Sequence, residues 1–293
     1  MRQDLGYLSG LALHVHRGMG ERPGDRRFPG RPQPAGIELE AHSPYAPGDD
    51  LRHLDWNAVG RLDALLVRRF TAEREVVVHI LVDLSASMTV PARDDKLGAA
   101  KELALALAYV ALSANDAVRL ALLAGPAPRI SPVLRQRESV ARVRQMLADA
   151  GARGLLALGE TLESYARRHP TPGLAIVVSD LMMDPAEVER GLHALRMRRY
   201  QVLLLHVVGP GELEPGREFS RGLLEDVESG ATRPVVLTPA VLARYRETLD
   251  QHLGALEALA DRSETVYARL VSDASVAEFV TVELPRLGVI RRR

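Results

Sequence analysis

The stretch that decides the fold runs from Val76 to Met88 and reads VVVHILVDLSASM. Its first seven residues form a continuous apolar run, rich in β-branched side chains and free of proline. Such a run is typical of a strand that is buried on both faces at the centre of a parallel sheet. In open α/β sheets the ligand crevice lies beyond the carboxyl ends of the strands. The stretch therefore predicts a functional site where the strand ends, at residues 83–87.

The polar residues of this stretch are Asp83, Ser85 and Ser87, which place a carboxylate and two hydroxyls at every second position. Mg²⁺ prefers a near-octahedral set of oxygen ligands and often keeps positions open for water or a visiting carboxylate. The spacing therefore predicts a cation site for Mg²⁺, with Mn²⁺ or Ca²⁺ as alternatives. A second interpretation stays open, in which the same side chains cap the following helix, because caps use the same residue types.

Composition excludes several classes of protein. The 38 basic residues balance the 38 acidic residues, so no overall field favours nucleic acid or a membrane surface. The absence of cysteine excludes a disulfide framework and a cysteine-ligated zinc, and it is typical of cytoplasmic proteins. The start of the chain lacks the apolar region of a signal peptide, and the apolar helical run Leu103–Leu112 is shorter than the roughly 20 residues of a membrane span. We therefore expect a cytoplasmic protein without a membrane span.

Beyond residue 76 the apolar patterns of strands and helices alternate, which predicts an α/β fold with a doubly wound, mainly parallel sheet over residues 76–293. A helix is expected at Lys96–Ser113, and a second fully apolar strand begins at Leu174. This strand ends in Asp180, which repeats the position of Asp83 at its own strand end. Turn residues between two strand patterns predict an inserted β-hairpin at about residues 219–237.

Residues 1–75 are expected to form an amino-terminal extension with a small β-containing subdomain. A short amphipathic helix is expected over residues 4–16, and strands are expected at Ile37–Ala41 and Leu65–Phe70. The only tryptophan, Trp56, is expected to pack this small subdomain onto the main domain, because a lone tryptophan is usually a packing residue. The alternative is that the segment around Trp56 is a surface for a partner.

Four segments together resemble a known bacterial family. They are YAPGDDLRHLDW at 45–56, ERE at 73–75, DLSASM at 83–88 and EDVESG at 225–230. In this combination the chain, from about residue 35 to its end, resembles domain-of-unknown-function family 58, whose main domain is similar to von Willebrand factor A domains. The resemblance implies a von Willebrand factor A-type fold with a metal-ion-dependent adhesion site.

Transferred residue by residue, the resemblance implies that Asp83, Ser85 and Ser87 form the first metal-binding motif and that Asp180 forms the third. The middle motif of the relatives is a turn similar to Gly-Gly-Thr-Asp, whereas residues 152–156 of this chain read ARGLL. Thr161 is the nearest hydroxyl, inside a predicted helix, and is the weakest candidate ligand. One missing neutral ligand predicts a weaker magnesium site that water completes.

The resemblance also implies a role. Family members are thought to work with MoxR-type AAA+ ATPases, so we expect a non-enzymatic interaction module that acts as an adaptor or co-chaperone of such an ATPase in the assembly or activation of client proteins. The alternative is a Mg²⁺-dependent phosphoryl hydrolase of the haloacid dehalogenase type, with Asp83 as the nucleophile. Such hydrolases carry a second aspartate as general acid where this chain has Ser85, and a hydroxyl does not fill that role.

Overall fold

The computed structural model describes residues 5–14, 37–46, 54–62, 64–72, 77–125, 128–215, 220–227 and 230–293. The chain divides into two units, one made of Met1–Gly20 with Val76–Arg293 and the other made of Glu21–Glu75. Residues 1–20 thus join the larger unit, although the sequence pattern groups them with the amino-terminal part. The reason is a strand at Leu11–Leu13 that pairs antiparallel with Ile290–Arg292 near the end of the chain.

The strands and helices of both units are numbered together along the chain. The described strands are β1 (Leu11–Leu13), β2 (Ile37–Pro44), β3 (Leu66–Ala72), β4 (Val77–Asp83), β5 (Ala117–Leu123), β6 (Arg129–Ile130), β7 (Leu174–Ser179), β8 (Gln201–Val208), β9 (Arg221–Glu225), β10 (Thr232–Val236), β11 (Val266–Val271) and β12 (Ile290–Arg292). The described α-helices are α1 (Trp56–Leu62), α2 (Lys96–Ser113), α3 (Val140–Ala148), α4 (Leu158–Arg168), α5 (Pro185–Met197), α6 (Pro210–Leu213), α7 (Pro239–Arg262), α8 (Val276–Glu278) and α9 (Leu284–Arg286).

The main sheet has six strands in the order β11-β8-β7-β4-β5-β6. All neighbours are parallel except β6, which runs antiparallel to β5 at the edge. The predicted central strand is therefore confirmed, because β4 pairs on both sides, with Val78 opposite Val118 of β5 and Leu174 of β7. This arrangement confirms the predicted doubly wound, mainly parallel sheet.

Helices cover both faces of the sheet. On one face Ile80 and Val82 pack in a core with the apolar helix α2, which begins at Lys96 and ends at Ser113 as predicted. On the other face Leu81 packs in a second core with residues of α4, α5 and α7. Burial on both faces is the reason why β4 reads as an unbroken apolar run. Among the described residues no helix is long and apolar enough to cross a bilayer.

One prediction at the amino terminus is wrong. The amphipathic helix expected over residues 4–16 is a 3₁₀ turn at Gly6–Leu8 followed by β1, because Gly10 has a φ of +85°, which ends any helix there. Near the carboxyl end the helical residues 276–286 comprise α8, a π-helical turn at Phe279–Glu283 and α9. Pro285 has no backbone N–H to donate within a regular helix, which accounts for the interruption.

The smaller unit contains the two strands predicted there. β2 and β3 pair antiparallel, from Ile37 opposite Ala72 to Pro44 opposite Leu66. Trp56 begins α1 and is 69% exposed, so its ring is not buried within the smaller unit, and its packing onto the main domain stays a prediction. The predicted hairpin in the larger unit is confirmed as β9 paired with β10.

Candidate functional site at the carboxyl edge of the sheet

Three neighbouring strands bring polar side chains to one edge of the sheet. β4 ends in Asp83, β7 ends in Ser179 with Asp180 directly after it, and β8 leads into Gly209 and α6. Because these strands are parallel, their carboxyl ends meet at the same edge. We call this the carboxyl edge, and it is the place where α/β sheets keep their sites.

Asp83 is completely buried, and both of its carboxylate oxygens accept hydrogen bonds. The backbone N–H of Ser85 donates to Oδ1 at 2.7 Å, and the hydroxyl of Ser179 donates to Oδ2 at 2.5 Å. Burial and the negative charge of Asp180 raise the pKa of Asp83 to about 6, although the hydrogen bonds from Ser179 and Ser85 favour the charged form. A cation beside Asp83 would remove this electrostatic cost.

The hydroxyls of Ser85 and Ser87 have the spacing that a small cation requires. Their oxygens lie 2.9 Å apart. Neighbouring ligands around Mg²⁺, at bond lengths of about 2.0–2.1 Å and right angles, are also about 2.9 Å apart. The two hydroxyls are hydrogen-bonded to each other, and their separation is also compatible with two neighbouring ligands of one small divalent ion; the metal role of Asp83, Ser85 and Ser87 stays a prediction. Among the residues that the structure describes, no three carboxylate or imidazole side chains converge as a metal site, so such an ion depends on the serine hydroxyls.

The segment at the position of the middle motif contacts the Asp83 turn through its backbone. Arg153 donates its N–H to the carbonyl of Leu84 at 2.8 Å, and Ala86 donates to the carbonyl of Gly154 at 2.9 Å. Gly154 has a φ of +66°, a conformation that suits glycine in this turn. Thr161 lies in the first turn of α4 and is half-buried. Its role as a metal ligand stays a prediction.

Asp180 has a partner that was not predicted from the sequence. The ammonium of Lys96 donates to Asp180 Oδ2 at 2.8 Å and also to Glu212 Oε1. The backbone N–H of Met182 donates to Asp180 Oδ1 at 3.3 Å. The structure thus groups Asp83 with the two serines, while it groups Asp180 with Lys96 and Glu212. The role of Asp180 as a metal ligand likewise stays a prediction.

One signal in the sequence pointed to Lys96. It is the first residue of α2, and a positive charge at a helix amino terminus is unfavourable with respect to the helix dipole. Its burial at that position requires compensating carboxylates. Asp180 is one such carboxylate that the sequence singles out as a site residue. No local sequence pattern indicates that Glu212 is the other.

Glu212 joins the turn after β8 to helix α7 through hydrogen bonds. Its Oε2 accepts a hydrogen bond from the N–H of Gly209 at 2.7 Å, and its carbonyl accepts one from the hydroxyl of Tyr245 in α7 at 2.7 Å. Gly211 in the same turn donates to Asp94 Oδ2 at 2.8 Å. Side chains that follow β4, β8 and β10 are therefore joined in one bonded network at the carboxyl edge.

With this geometry established, comparison with known proteins assigns the family. The model of the family described as "Protein of unknown function DUF58" matches residues 42–254. The chain belongs to the DUF58 family. The central sheet of this DUF58 chain is mostly parallel and carries helices on both faces.

The DUF58 chain is similar to uncharacterized proteins of Mycobacterium bovis and Mycobacterium tuberculosis, each 28% identical over 84% of this chain and 73% of the relative. Among solved structures it is similar to a conserved hypothetical protein, BatB, of Bacteroides thetaiotaomicron, with 20% identity and a TM-score of 0.47 over 73% of this chain and 98% of the other. The VWA domain of SpRpn10 is also similar, with 12% identity and a TM-score of 0.42 over 71% of this chain and 94% of the other.

Exposed apolar side chains follow the polar residues of the DUF58 site. Val90 comes after the Asp83 turn, Leu155 comes after Gly154, and Met182 comes after Asp180; they are 41%, 64% and 44% exposed. We call these three residues the apolar rim. Exposed apolar side chains next to polar groups offer area that a partner protein can bury.

Proposed function

We propose that this DUF58 protein is a non-enzymatic protein-interaction module and that its binding face is the carboxyl edge. The observation that supports this most strongly is the pair of serine hydroxyls 2.9 Å apart beside the buried Asp83 carboxylate. The apolar rim adds surface that a partner protein buries. Such an interface would combine polar contacts that give specificity with apolar contacts that give affinity.

We further propose that Asp83, Ser85 and Ser87 hold Mg²⁺, with Mn²⁺ or Ca²⁺ as substitutes. Bound there, the ion supplies a Lewis-acidic centre with open coordination positions. One carboxylate and two neutral hydroxyls neutralise only part of the charge of a divalent ion. An aspartate or glutamate of a partner therefore meets residual positive charge at the edge.

The partner that we propose is a MoxR-type AAA+ ATPase, with this protein as its adaptor or co-chaperone in the cytoplasm. Membership of the DUF58 family supports this choice. The adaptor would present client proteins to the ATPase, and the carboxyl edge is the face that we assign to the contact. The chemistry of the edge favours a partner segment that carries an acidic residue next to apolar ones.

Magnesium should stabilise the folded protein. At ten times its dissociation constant a ligand that binds only the native state adds about 1.4 kcal/mol, which corresponds to a rise of about 3–6 °C in Tm for a domain of this size. We expect this rise in the wild type and none in Asp83→Ala, as measured by scanning calorimetry with and without Mg²⁺. Asp184→Ala, which removes an exposed N-cap of α5, is the matched control and should keep the rise. Equal shifts in wild type and Asp83→Ala would reject the site.

Binding to the ATPase should depend on the cation. We expect a complex that forms in Mg²⁺ and weakens in EDTA, and we expect Asp83→Ala to reduce affinity by about 1–3 kcal/mol, or about 5–150-fold. A pull-down followed by calorimetric titration measures both effects.

The exposed Trp56 provides the opposing test. Binding that resists EDTA and is lost only in Trp56→Ala would move the interface to the smaller unit and reject the carboxyl edge. Binding that is lost in Asp83→Ala and retained in Trp56→Ala supports the proposal.

A further inference from the structure

Lys96 is a buried cation enclosed by two carboxylates. Its side chain is 1% exposed, as is that of Asp180, while the side chain of Glu212 is 12% exposed. The ammonium donates to Asp180 at 2.8 Å and also contacts Glu212 Oε1. The cluster thus holds one positive charge against two negative charges, away from bulk water.

The remaining carboxylate oxygens of the cluster are also bonded. Asp180 Oδ1 accepts from Met182 N–H at 3.3 Å, and Glu212 Oε2 accepts from Gly209 N–H at 2.7 Å. Each carboxylate is therefore oriented with its other oxygen toward the ammonium. Burial lowers the pKa of Lys96, but the charges of Asp180 and Glu212 and the hydrogen bonds to both outweigh it, so the pKa lies above its usual value.

We propose that Lys96 is a positioning residue that serves as a built-in cation of the carboxyl edge, standing between Asp180 and Glu212 where a divalent ion would otherwise bridge them. The inference deepens the proposed function, on which it rests for the role of the edge. It restricts the ligands of any metal at Asp83 to the Asp83, Ser85 and Ser87 group, since Asp180 is held by the ammonium. It also fixes the turn after β8 to the end of β7.

The charges of the cluster predict what happens when the ammonium is removed. Lys96→Ala deletes the long side chain and leaves two oriented carboxyl groups, which carry up to two negative charges, with free space between them. Hard divalent cations bind such carboxylate pairs and complete their shells with water. A divalent ion would neutralise the pair fully, whereas the ammonium neutralises only half of its charge. The variant should therefore acquire a divalent-cation site that the wild type lacks.

The test counts Mn²⁺ bound per full-length chain by electron paramagnetic resonance titration. It uses Asp83→Ala as the background, so that the site proposed above does not contribute. We expect Asp83→Ala with Lys96→Ala to bind one Mn²⁺ more than Asp83→Ala alone. Adding Asp180→Asn and Glu212→Gln should abolish this extra ion. The same titration on chains with Asp83 intact reports the Asp83 site separately, so failure of the proposed function and failure of this inference are distinguishable.

The loss of Lys96 also unpairs buried charges, so folding is followed in parallel by circular dichroism. If the Lys96→Ala chain folds only when Mn²⁺ is present and unfolds again in Mg²⁺-free buffer with EDTA, that result supports the inference as directly as an extra bound Mn²⁺ does. A Lys96→Ala chain that gains neither an extra Mn²⁺ nor a Mn²⁺-dependent fold overturns it, whether that chain is folded or unfolded. In that case Lys96 would be a structural ion-pair partner only.

Discussion

Replacing Lys96 by methionine is expected to lower the free energy of unfolding by about 3–5 kcal/mol, because the loss of one partner from a buried ion pair leaves uncompensated charge in the interior. Methionine keeps a long unbranched side chain, so the loss reflects charge more than an empty cavity. The buried carboxylates of Asp180 and Glu212 carry the cost. Urea denaturation in EDTA, which removes any rescuing cation, measures the difference.

Lys101→Met on the same helix is the matched control. The ammonium of Lys101 is half-buried and donates to the carbonyl of Ala150 at 2.5 Å, so its loss should cost only about 1 kcal/mol. Adding Asp180→Asn and Glu212→Gln to Lys96→Met should recover most of the larger loss, since no buried charge then remains in the cluster. A Lys96→Met protein within about 1 kcal/mol of the wild type would show that the buried pair is not formed in solution.

Replacing Gly173 by alanine is expected to cost more than about 3 kcal/mol, above the usual penalty for overpacking. An added Cβ would lie 2.0 Å from the carbonyl oxygen of Val77 and 3.4 Å from the ring of His79. The first contact is with the backbone of the central strand, which no side-chain rotation relieves. Gly173 also accepts a hydrogen bond from Gln201 at 3.0 Å, so a shift of this residue disturbs the start of both β7 and β8.

Gly151→Ala provides the control, because an added Cβ there meets no atom within 4 Å. The same denaturation experiment should find Gly151→Ala close to the wild type and Gly173→Ala strongly destabilised or unfolded. Similar stabilities of the two variants would mean that β4 and β7 are not as closely apposed at Gly173 as the structure has them.

The main sheet was predictable from sequence because a strand that is buried on both faces has apolar residues at successive positions. The run from Val76 became β4, and the helix at Lys96–Ser113 has the predicted limits, since an apolar helix with an Asp95 cap has clear ends. The termini were less predictable. Leu8 and Leu11 fit a helical pattern, but their burial serves a strand that pairs with the other end of the chain, and a local pattern does not report such a distant partner.

The residues of the candidate site also differ in how far the sequence predicts them. Asp83, Ser85 and Ser87 lie within one turn, so their spacing alone brought them together. Lys96 and Glu212 are 116 residues apart, and they meet only because β4, β7 and β8 are neighbours in the sheet. Trp56 shows the limit of residue-type reasoning, since its ring is exposed although tryptophan usually packs.

The central claim is that the carboxyl edge binds the partner, and two apolar residues of comparable exposure, one at this edge and one at the far end of α5, test it most directly. Leu155, in the apolar rim, is 64% exposed; Met197 is 70% exposed and ends α5, which begins after Asp180 and runs about 18 Å away from the edge. The measurement is the Kd of the MoxR-type ATPase for Leu155→Asp and for Met197→Asp in Mg²⁺. We predict at least about a tenfold loss for Leu155→Asp and no change for Met197→Asp. Equal affinities for the two variants, or a loss confined to Met197→Asp, would contradict the account.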